Sequence, residues 1–274
     1  KLLMNAALRI AEQSHREIPV REGDFIQDGL WHCGICKTPK QFVKEMDGIT
    51  INAMCLCKCE AEKRRKEAEA EERKHEEEEL RRRKIFCFPS ADMIEWNFAN
   101  DDRKQDISFA RKYVDHFTKA RAEGKGLLLY GGVGTGKTYV AAAIANALIE
   151  QKKSVKLNTA RGYADSAFDD KDGFIEMLHT MDLVILDDLS AERQTDYMQE
   201  TVFTIVNTRY ESKLPLIVTT NMDFQQIRNP DGLAQERIFS RIAAMCYPIP
   251  VAGSDRRKQM ARDSLNEWKE VLYG

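Results

Sequence analysis

The second half of the chain alternates between short, mostly apolar runs and segments whose hydrophobic residues recur at helical spacing. The runs have the length of β-strands and show no helical alternation. They lie at residues 127–130, 154–157, 182–187 and 214–220. Helical spacing is found at 108–122, 160–168, 174–181 and 236–242, and an alanine-rich segment follows Lys137. This alternation predicts an α/β fold.

The first quarter of the chain has a different pattern. Residues 2–14 carry apolar side chains at helical spacing and are followed by a proline and a glycine. We therefore predict a short helix that either packs locally or docks a partner. Residues 42–43 and 49–51 flank an Asp-Gly dipeptide at 47–48. This combination predicts a β-hairpin.

Residues 60–84 are almost wholly charged and contain neither glycine nor proline. Pairs of opposite charge recur four residues apart, with glutamate first, in the orientation that stabilises a helix. The pairs are Glu60–Arg64, Glu62–Lys66, Glu69–Arg73, Glu77–Arg81, Glu78–Arg82 and Glu79–Arg83. Because no apolar seam is present, we predict a solvated spacer helix of about 37 Å and not a coiled coil. A partly disordered charged linker is the alternative.

One glycine-rich segment carries a specific chemical signal. Residues 131–138 match G-x-x-x-x-G-K-[ST] between a predicted strand and a predicted helix. Glycines there let backbone N–H groups approach a triphosphate, and the helix directs its N-terminal N–H groups at the same anion. The predicted ATP site comprises Gly131, Gly132, Val133, Gly134, Thr135, Gly136, Lys137, Thr138 and Tyr139. A glycine-rich turn that binds nothing is the alternative.

The polar residues around this segment suit hydrolysis. Lys137 supplies a charge for the β- and γ-phosphates, and the Thr138 hydroxyl can ligate Mg2+. The third apolar run ends in Asp187 and Asp188. We predict that Asp187 holds the metal and that Asp188 is the base for the attacking water. Asn221 ends the fourth run, where its amide can orient that water or simply form a turn.

Basic residues follow near the end of the chain. Arg237 and Arg241 lie one helical turn apart on one face of a predicted helix, and surface salt bridges are the simpler interpretation of both. Residues 253–257 read GSDRR and open a last predicted helix. From that helix a guanidinium can reach the phosphates.

Five cysteines are clustered near the N-terminus. Cys33 and Cys36 have the spacing of a zinc knuckle, and Cys55, Cys57 and Cys59 follow about twenty residues later. Two knuckles at this separation close one tetrahedral site, for which we favour Cys33, Cys36, Cys57 and Cys59, with Cys55 as the alternate. Four thiolates leave no position for a water, so the predicted zinc site is structural. Buried free thiols and an iron–sulfur cluster are the alternatives.

Composition limits the remaining possibilities. The 274 residues carry a net charge of −2 and a pI near 6.3, so any DNA contact must come from a local patch. No apolar run reaches the roughly 18 residues of a membrane span, and no secretory signal is present. Seven cysteines beside a nucleotide site favour reduced thiols or metal ligands in a cytoplasmic protein. The first residue is lysine, so we expect the natural N-terminus to be missing.

The order of these motifs resembles the AAA+ family, and within it the bacterial and phage helicase loaders of the DnaC/DnaI type. The resemblance covers most of the chain and rests on LLLYGGVGTGKT, LVILDDLSAER, LIVTTN, ERIFSRI and GSDRRK. The cysteine-rich N-terminus resembles the zinc-binding, helicase-docking domain of such loaders. The resemblance implies a docking domain at 1–59, a linker helix at 60–85 and an ATPase domain at 86–274. The ATPase domain is then a parallel sheet flanked by helices, without a full lid.

By the same resemblance, the protein is an oligomeric ATPase that loads a replicative DnaB-type helicase onto single-stranded DNA. Asn221 is then sensor 1, Arg241 is the arginine finger presented to a neighbouring subunit's ATP, and Arg256 is similar to sensor 2. Arg237 competes for the finger role. A helical insert that lines a single-strand DNA channel is expected within 159–180.

Two other classes share parts of the pattern. A transposition helper ATPase similar to the IstB group shares the ATPase core, although the cysteine-rich domain and the spacer count against it. A small-molecule P-loop kinase would use Arg241 and Arg256 to clamp a phosphorylated substrate, but no lid or substrate domain is evident.

Overall fold

A computed structural model of the chain describes residues 20–46, 49–100, 107–189, 196–230 and 232–253, and also 255, 258, 264–265, 268–269 and 271–273. Two compact units divide the chain, Lys1–Glu78 and Glu79–Gly274. The three-part division at 1–59, 60–85 and 86–274 stays a prediction. The predicted helix at 2–14 and much of the last predicted helix, including Arg256, lie outside the described residues.

Two antiparallel hairpins lie in the described part of the first unit. β1 (Phe25–Gln27) pairs with β2 (Leu30–His32), and β3 (Gln41–Met46) pairs with β4 (Ile49–Met54). The second hairpin confirms the prediction from its alternating strands. The first was missed because its strands have three residues each, although the Asp-Gly dipeptide at 28–29, with φ of 51° and 74°, is a hairpin signal.

A single helix, α1 (Lys58–Cys87), begins in the first unit and ends in the second. Its side chains are mostly exposed, and Cys87 is its one buried residue. Ion pairs four residues apart support it, for example Lys66 with Glu62 at 3.1 Å. The prediction of a solvated helix over 60–84 is confirmed. Exposed pairs of this kind are individually weak, so the helix depends on their number and on its high intrinsic propensity.

The second unit is a parallel sheet in the order β6-β7-β8-β5-β9, flanked by helices. Its strands are β5 (Gly126–Tyr130), β6 (Val155–Thr159), β7 (Leu183–Asp187), β8 (Leu216–Thr220) and β9 (Cys246–Pro250). Its helices are α2 (Ser108–Asp115), α3 (Phe117–Glu123), α4 (Lys137–Glu150), α5 (Ala160–Asp169), α6 (Lys171–Thr180), α7 (Asp196–Glu211), α8 (Phe224–Arg228) and α9 (Leu233–Met245). A 3-10 turn at Ala91–Glu95 precedes α2. The predicted α/β fold with a parallel sheet is confirmed.

The strand order decides where the functional residues meet. β7, β8 and β5 are adjacent and wholly or almost wholly buried. In a parallel sheet their C-terminal ends emerge at one edge, which is where ligands of open α/β folds bind. The glycine loop after β5, the acids at the end of β7 and the asparagine after β8 therefore share that edge.

Some elements differ from the sequence prediction. The helix predicted for 108–122 is interrupted, since His116, at φ −105° and ψ 16°, separates α2 from α3 without a proline or glycine to mark the break. β9 and α7 were not predicted. β9 has the sequence CYPIP, and its two prolines argue against a strand because proline has no N–H to donate. Such residues are tolerated at the edge of a sheet, where β9 lies. Among the described residues, no helix combines the length and the apolar character needed to cross a membrane.

Candidate functional site

The glycine loop between β5 and α4 bends through three residues at positive φ. Gly131, Gly134 and Gly136 have φ of 144°, 76° and 93°, values that residues with a Cβ rarely adopt. A Cβ on Gly131 would collide with the carbonyl oxygen of Val251, and one on Gly134 with the carboxylate of Asp255. This conformation therefore requires glycine for two independent reasons, its dihedral angles and the close approach of the C-terminal segment.

The remaining loop residues have different roles. Val133 is 59% exposed at the outer side of the loop. The Thr135 side chain is buried, and its hydroxyl donates to the Gly132 carbonyl at 3.0 Å. Thr135 therefore braces the loop from within.

Lys137 is the first residue of α4, and it is 6% exposed. Its ammonium donates to the carbonyl oxygens of Gly131 at 2.9 Å and Gly132 at 2.7 Å, and to Oδ1 of Asn221 at 2.6 Å. A lysine ammonium has three N–H groups, so protein oxygens can occupy all of them. A triphosphate in the loop would have to replace some of these partners.

Asp187, the last residue of β7, is nearly buried at 5% exposure. The Thr219 hydroxyl donates to its Oδ1 at 2.6 Å, and the Thr138 side chain is a second hydrogen-bond partner. Burial raises the pKa of the Asp187 carboxyl, and these two hydrogen bonds oppose the rise. The structure thus brings together the two predicted magnesium ligands, whose hydroxyl and carboxylate oxygens are of the type that Mg2+ prefers.

Asp188 leaves the strand with φ of 55°, an uncommon value for a residue other than glycine. Its backbone N–H donates to the Thr219 hydroxyl at 2.9 Å. Its Oδ1 accepts from Nδ2 of Asn221 at 2.9 Å. Since Lys137 can only donate and an ionised Asp188 only accept, the orientation of the Asn221 amide between them follows from its partners.

These contacts join three predicted residues, Lys137, Asn221 and Asp188, through one side-chain amide. The Lys137 ammonium carries the charge that can neutralise phosphate, and Asp188 and Asn221 carry the acceptor and amide groups that can hold and deprotonate a water. When bound between Thr138 and Asp187, Mg2+ would neutralise charge on the phosphate oxygens. The arrangement therefore suits metal-assisted transfer of a phosphoryl group to water.

Tyr139 lies one residue beyond the motif and faces the segment before α2. Its hydroxyl donates to the Asn97 carbonyl at 2.9 Å, and its ring stacks on Trp96 with centroids 5.6 Å apart. Asn146, buried further along α4, donates to the carbonyls of Met93 and Trp96 at 2.9 and 2.8 Å. Tyr139 thus helps to anchor residues 93–97 against the nucleotide-site helix, a link that the sequence did not predict.

The two arginines of α9 differ in their surroundings. The Arg241 guanidinium lies 5.2 Å from the ring centroid of Phe203 and 6.0 Å from that of Tyr210, both on α7, and also donates to the Arg237 carbonyl at 3.0 Å. Arg237 is exposed. Arg241 therefore packs on its own subunit, and Arg237 faces solvent. Arg256 lies outside the described residues.

The cysteine cluster lies in the first unit. Sγ atoms of Cys33, Cys36, Cys57 and Cys59 all lie within 4.8 Å of one another. A tetrahedral zinc ion with bonds of 2.3 Å places its sulfurs roughly 3.8 Å apart, so the four thiols fit zinc. Cys55 is not among them, and its thiol donates to the Pro39 carbonyl at 3.5 Å. The structure therefore groups the four favoured cysteines and leaves out the alternate.

Hydrogen bonds shift the pKa values of the thiols in this cluster in opposite directions. The Thr38 hydroxyl, at 3.1 Å from Cys36 Sγ, and two backbone N–H groups lower the pKa of Cys36 to about 5. The same hydroxyl accepts the Lys58 N–H at 2.9 Å, so Thr38 connects the two cysteine groups. Hydrogen bonds with its thiol neighbours, Cys57 first, raise the pKa of Cys59 to about 12. A bound cation would replace the proton that Cys59 shares with these neighbours, since metal ligands must be deprotonated.

A buried ion pair holds the first cysteine turn. The Asp24 carboxylate accepts the Gly34 N–H at 2.9 Å and pairs with the Lys40 ammonium at 2.6 Å. A backbone N–H from Arg21 and the Lys40 contact hold the pKa of Asp24 well below its usual range. Sequence reasoning missed Asp24 and Thr38, because neither has a spacing that marks a supporting role.

Comparison with known proteins shows similarity to an ATP-binding family and to replicative helicase loaders, and the family match includes the nucleotide site but not the four clustered cysteines. The family model described as IstB-like ATP binding protein matches residues 61–264. The replicative helicase loader DnaI of Bacillus subtilis (strain 168) is 29% identical over 167 residues, 53% of this chain and 53% of that protein. The replicative helicase loader DnaC of Escherichia coli (strain K12) is 28% identical over 143 residues, 50% of this chain and 56% of that protein. The chain spans about half the length of the curated relatives it matches.

A solved structure agrees in fold. The crystal structure of DnaI superposes with a TM-score of 0.53 and 26% sequence identity. The match covers 64% of this chain and 99% of that chain.

Proposed function

The chain belongs to the IstB-like ATP-binding protein family, and we propose that it loads a replicative DnaB-type helicase onto single-stranded DNA in an ATP-dependent manner. ATP binds at the glycine loop and is hydrolysed to ADP and phosphate, slowly unless partners stimulate the reaction. Two similar proteins are named replicative helicase loaders, and their similarity supports the helicase as the partner.

The observation that carries the ATPase part of the proposal is the connection from Lys137 through Asn221 to Asp188. In the proposed reaction, Lys137 holds the phosphates while Thr138 and Asp187 hold Mg2+. Asp188 accepts the proton of the attacking water, which Asn221 orients. Each role suits the hydrogen-bonding capacity of the side chain: the Lys137 ammonium only donates, the Asp188 carboxylate only accepts, and the Asn221 amide does both.

The first unit is the proposed helicase-docking element. With zinc held by the four cysteines, the two knuckles would be rigid. The first knuckle presents Ile35 between its two ligands at 80% exposure, and Leu56, directly before the second pair of ligands, is 46% exposed. Exposed apolar side chains on a rigid support are typical of a protein contact. Their position beside the metal cluster supports the proposal that zinc and docking depend on each other.

The family description also supports a second candidate. An IstB-like helper would use the same ATP site to assist a transposase. The four-cysteine cluster favours the loader, because ATP binding and hydrolysis alone do not require such a cluster. Binding to a partner protein therefore separates the two candidates better than any ATPase measurement.

The test is a pull-down of the full chain with a replicative DnaB-type helicase and, in parallel, with an IS21-type transposase. The loader proposal expects capture by the helicase alone. Ile35→Asp and Leu56→Asp should each weaken that capture by 10-fold or more while zinc content stays at the wild-type level. Ile26→Asp is the matched control, because Ile26 is 61% exposed but lies in β1, outside both cysteine knuckles. Capture by the transposase alone would favour the second candidate.

A further inference from the structure

We propose that Thr219 is a positioning residue that sets the geometry of both acids, an inference that rests on the proposed ATPase function. Thr219 lies on β8 and is 1% exposed. It occurs two residues before Asn221 in a run of threonines that the sequence alone marks only as strand. Nothing in the nucleotide motif identifies it.

The Thr219 hydroxyl makes two contacts of opposite direction. It donates to Oδ1 of Asp187 at 2.6 Å and accepts the backbone N–H of Asp188 at 2.9 Å. A hydroxyl has a single proton, so the bond to the Asp188 N–H leaves that proton directed at Asp187. One oxygen atom therefore orients the side chain of the first acid and the backbone of the second.

The backbone of Thr219 holds the same turn. Its carbonyl accepts the Leu189 N–H at 2.8 Å, directly after the acid pair. Asp188 itself has φ of 55°, a conformation that persists only where surrounding contacts impose it. Without the hydroxyl, the N–H of Asp188 loses its partner and Asp187 loses one of its two hydroxyl contacts.

This geometry predicts a specific defect when the hydroxyl is removed. Thr219 does not lie in the glycine loop, so binding of nucleotide without metal should persist. The carboxylate of Asp187 would be free to rotate, so the gain in nucleotide affinity that Mg2+ confers should fall. The carboxylate of Asp188 would lose its fixed position, so the turnover number should fall as well.

The experiment compares the wild type with Thr219→Val, which keeps the shape and removes the hydroxyl, and with Thr219→Ser, which keeps the hydroxyl. Thr201→Val is the matched control, because Thr201 is 4% exposed and its hydroxyl donates only to the Tyr197 carbonyl within α7, at 2.9 Å. Fluorescent ATP-analogue affinity is measured in EDTA and at saturating Mg2+, alongside kcat and thermal unfolding.

We expect all four proteins to bind nucleotide within about twofold of one another in EDTA. Thr219→Val should lose the Mg2+-dependent gain by about 10- to 100-fold, the effect of one hydrogen bond to a charged group, and kcat by a similar factor. Thr219→Ser and Thr201→Val should match the wild type in both measurements.

Three results would overturn the proposal. The first is a folded Thr219→Val protein that keeps the wild-type response to Mg2+. The second is Thr219→Ser with the same defect as Thr219→Val, since the hydroxyl would then not be the cause. Thr219→Ala replaces Thr219→Val if the valine variant does not fold. The third result is that neither variant is stable, which would mean that Thr219 is needed for folding and not for positioning the acids. A wild type that binds no nucleotide at all would instead contradict the proposed function.

Discussion

Lys137 Nζ lies 2.6 Å from Asn221 Oδ1, so the lysine of the glycine loop and the asparagine that ends β8 are directly hydrogen-bonded. The other end of the same amide donates to Asp188 at 2.9 Å. In this contact Lys137 donates an N–H group that could otherwise donate to a γ-phosphate oxygen. Asn221 is therefore a hydrogen-bond partner of Asp188, the proposed base. It also competes with a bound nucleotide for the Lys137 ammonium.

Asn221→Ala should abolish most hydrolysis without weakening ATP binding. The variant removes the group that orients the water and Asp188, so we expect kcat to fall by about 100-fold, in the range seen when one positioned polar group is lost. ATP affinity should stay the same or rise a few-fold, because Lys137 loses one competing acceptor. Equilibrium ATP binding and steady-state hydrolysis measure the two effects. Asn229→Ala, which removes an exposed asparagine after α8, is the control. A large loss of ATP affinity would show that Asn221 contacts nucleotide directly.

Lys137→Ala and Asp188→Asn should separate binding from chemistry. Lys137→Ala removes the charge that holds the phosphates, so nucleotide affinity should fall at least tenfold. Asp188→Asn keeps the shape but cannot accept a proton, so the protein should bind ATP and not turn it over. Asp115→Asn, at the exposed end of α2, is the control for loss of one negative charge. Hydrolysis by Asp188→Asn at the wild-type rate would refute the role of Asp188.

Purified protein should carry one equivalent of zinc, and Cys57→Ser should lose it. The binding energy of such a site is also folding energy, on the order of 10 kcal/mol. Chelation should therefore unfold residues 30–60 and spare ATP binding by the second unit. Cys55→Ser is the matched control, because Cys55 is in the same segment but outside the four-thiol cluster. Elemental analysis and hydrogen exchange measure the two effects. A metal-free protein with this region folded would disprove the zinc site.

Arg241→Ala and Arg237→Ala test the proposal that an arginine of one subunit completes the ATP site of a neighbouring subunit. A finger supplied in trans is worth about 10³–10⁵ in rate, so the variant of the true finger should keep ATP affinity and lose stimulated hydrolysis. Arg241 is the residue that the family resemblance favours. Its packing on Phe203 and Tyr210 means that Arg241→Ala should also lower the unfolding temperature, whereas Arg237→Ala should not.

Mixing each inactive arginine variant with Asp188→Asn tests whether the site is shared. Interfaces that combine a wild-type acid with a wild-type arginine would form again in the mixture. Recovered hydrolysis would identify the finger. No recovery at any ratio, with both variants still assembling, would place that arginine outside the neighbour's chemistry.

Local features of the chain were readable from the sequence. The glycine loop requires positive φ at Gly131, Gly134 and Gly136, and glycine provides that freedom regardless of the rest of the fold. The charged helix α1 follows from pairs four residues apart, and the β3–β4 hairpin follows from alternating strands around Asp-Gly. In each case the interacting groups are close in sequence, so a pattern of residues is enough to predict the structure.

Tertiary structure decided what meets at the sites. The contacts of Lys137 with Asn221 and of Thr219 with both acids join residues on, or directly after, separate elements of the sheet unit. They depend on β8 lying between β7 and β5. The fold likewise selected Cys57 and Cys59 over Cys55 and packed Arg241 against α7. Strand order and side-chain packing are set by the burial of the whole apolar surface, to which many distant residues contribute. The spacing of residues in a short segment cannot show the combined effect of these distant residues. The sequence therefore supplied the chemical groups, and only the fold determined their partners.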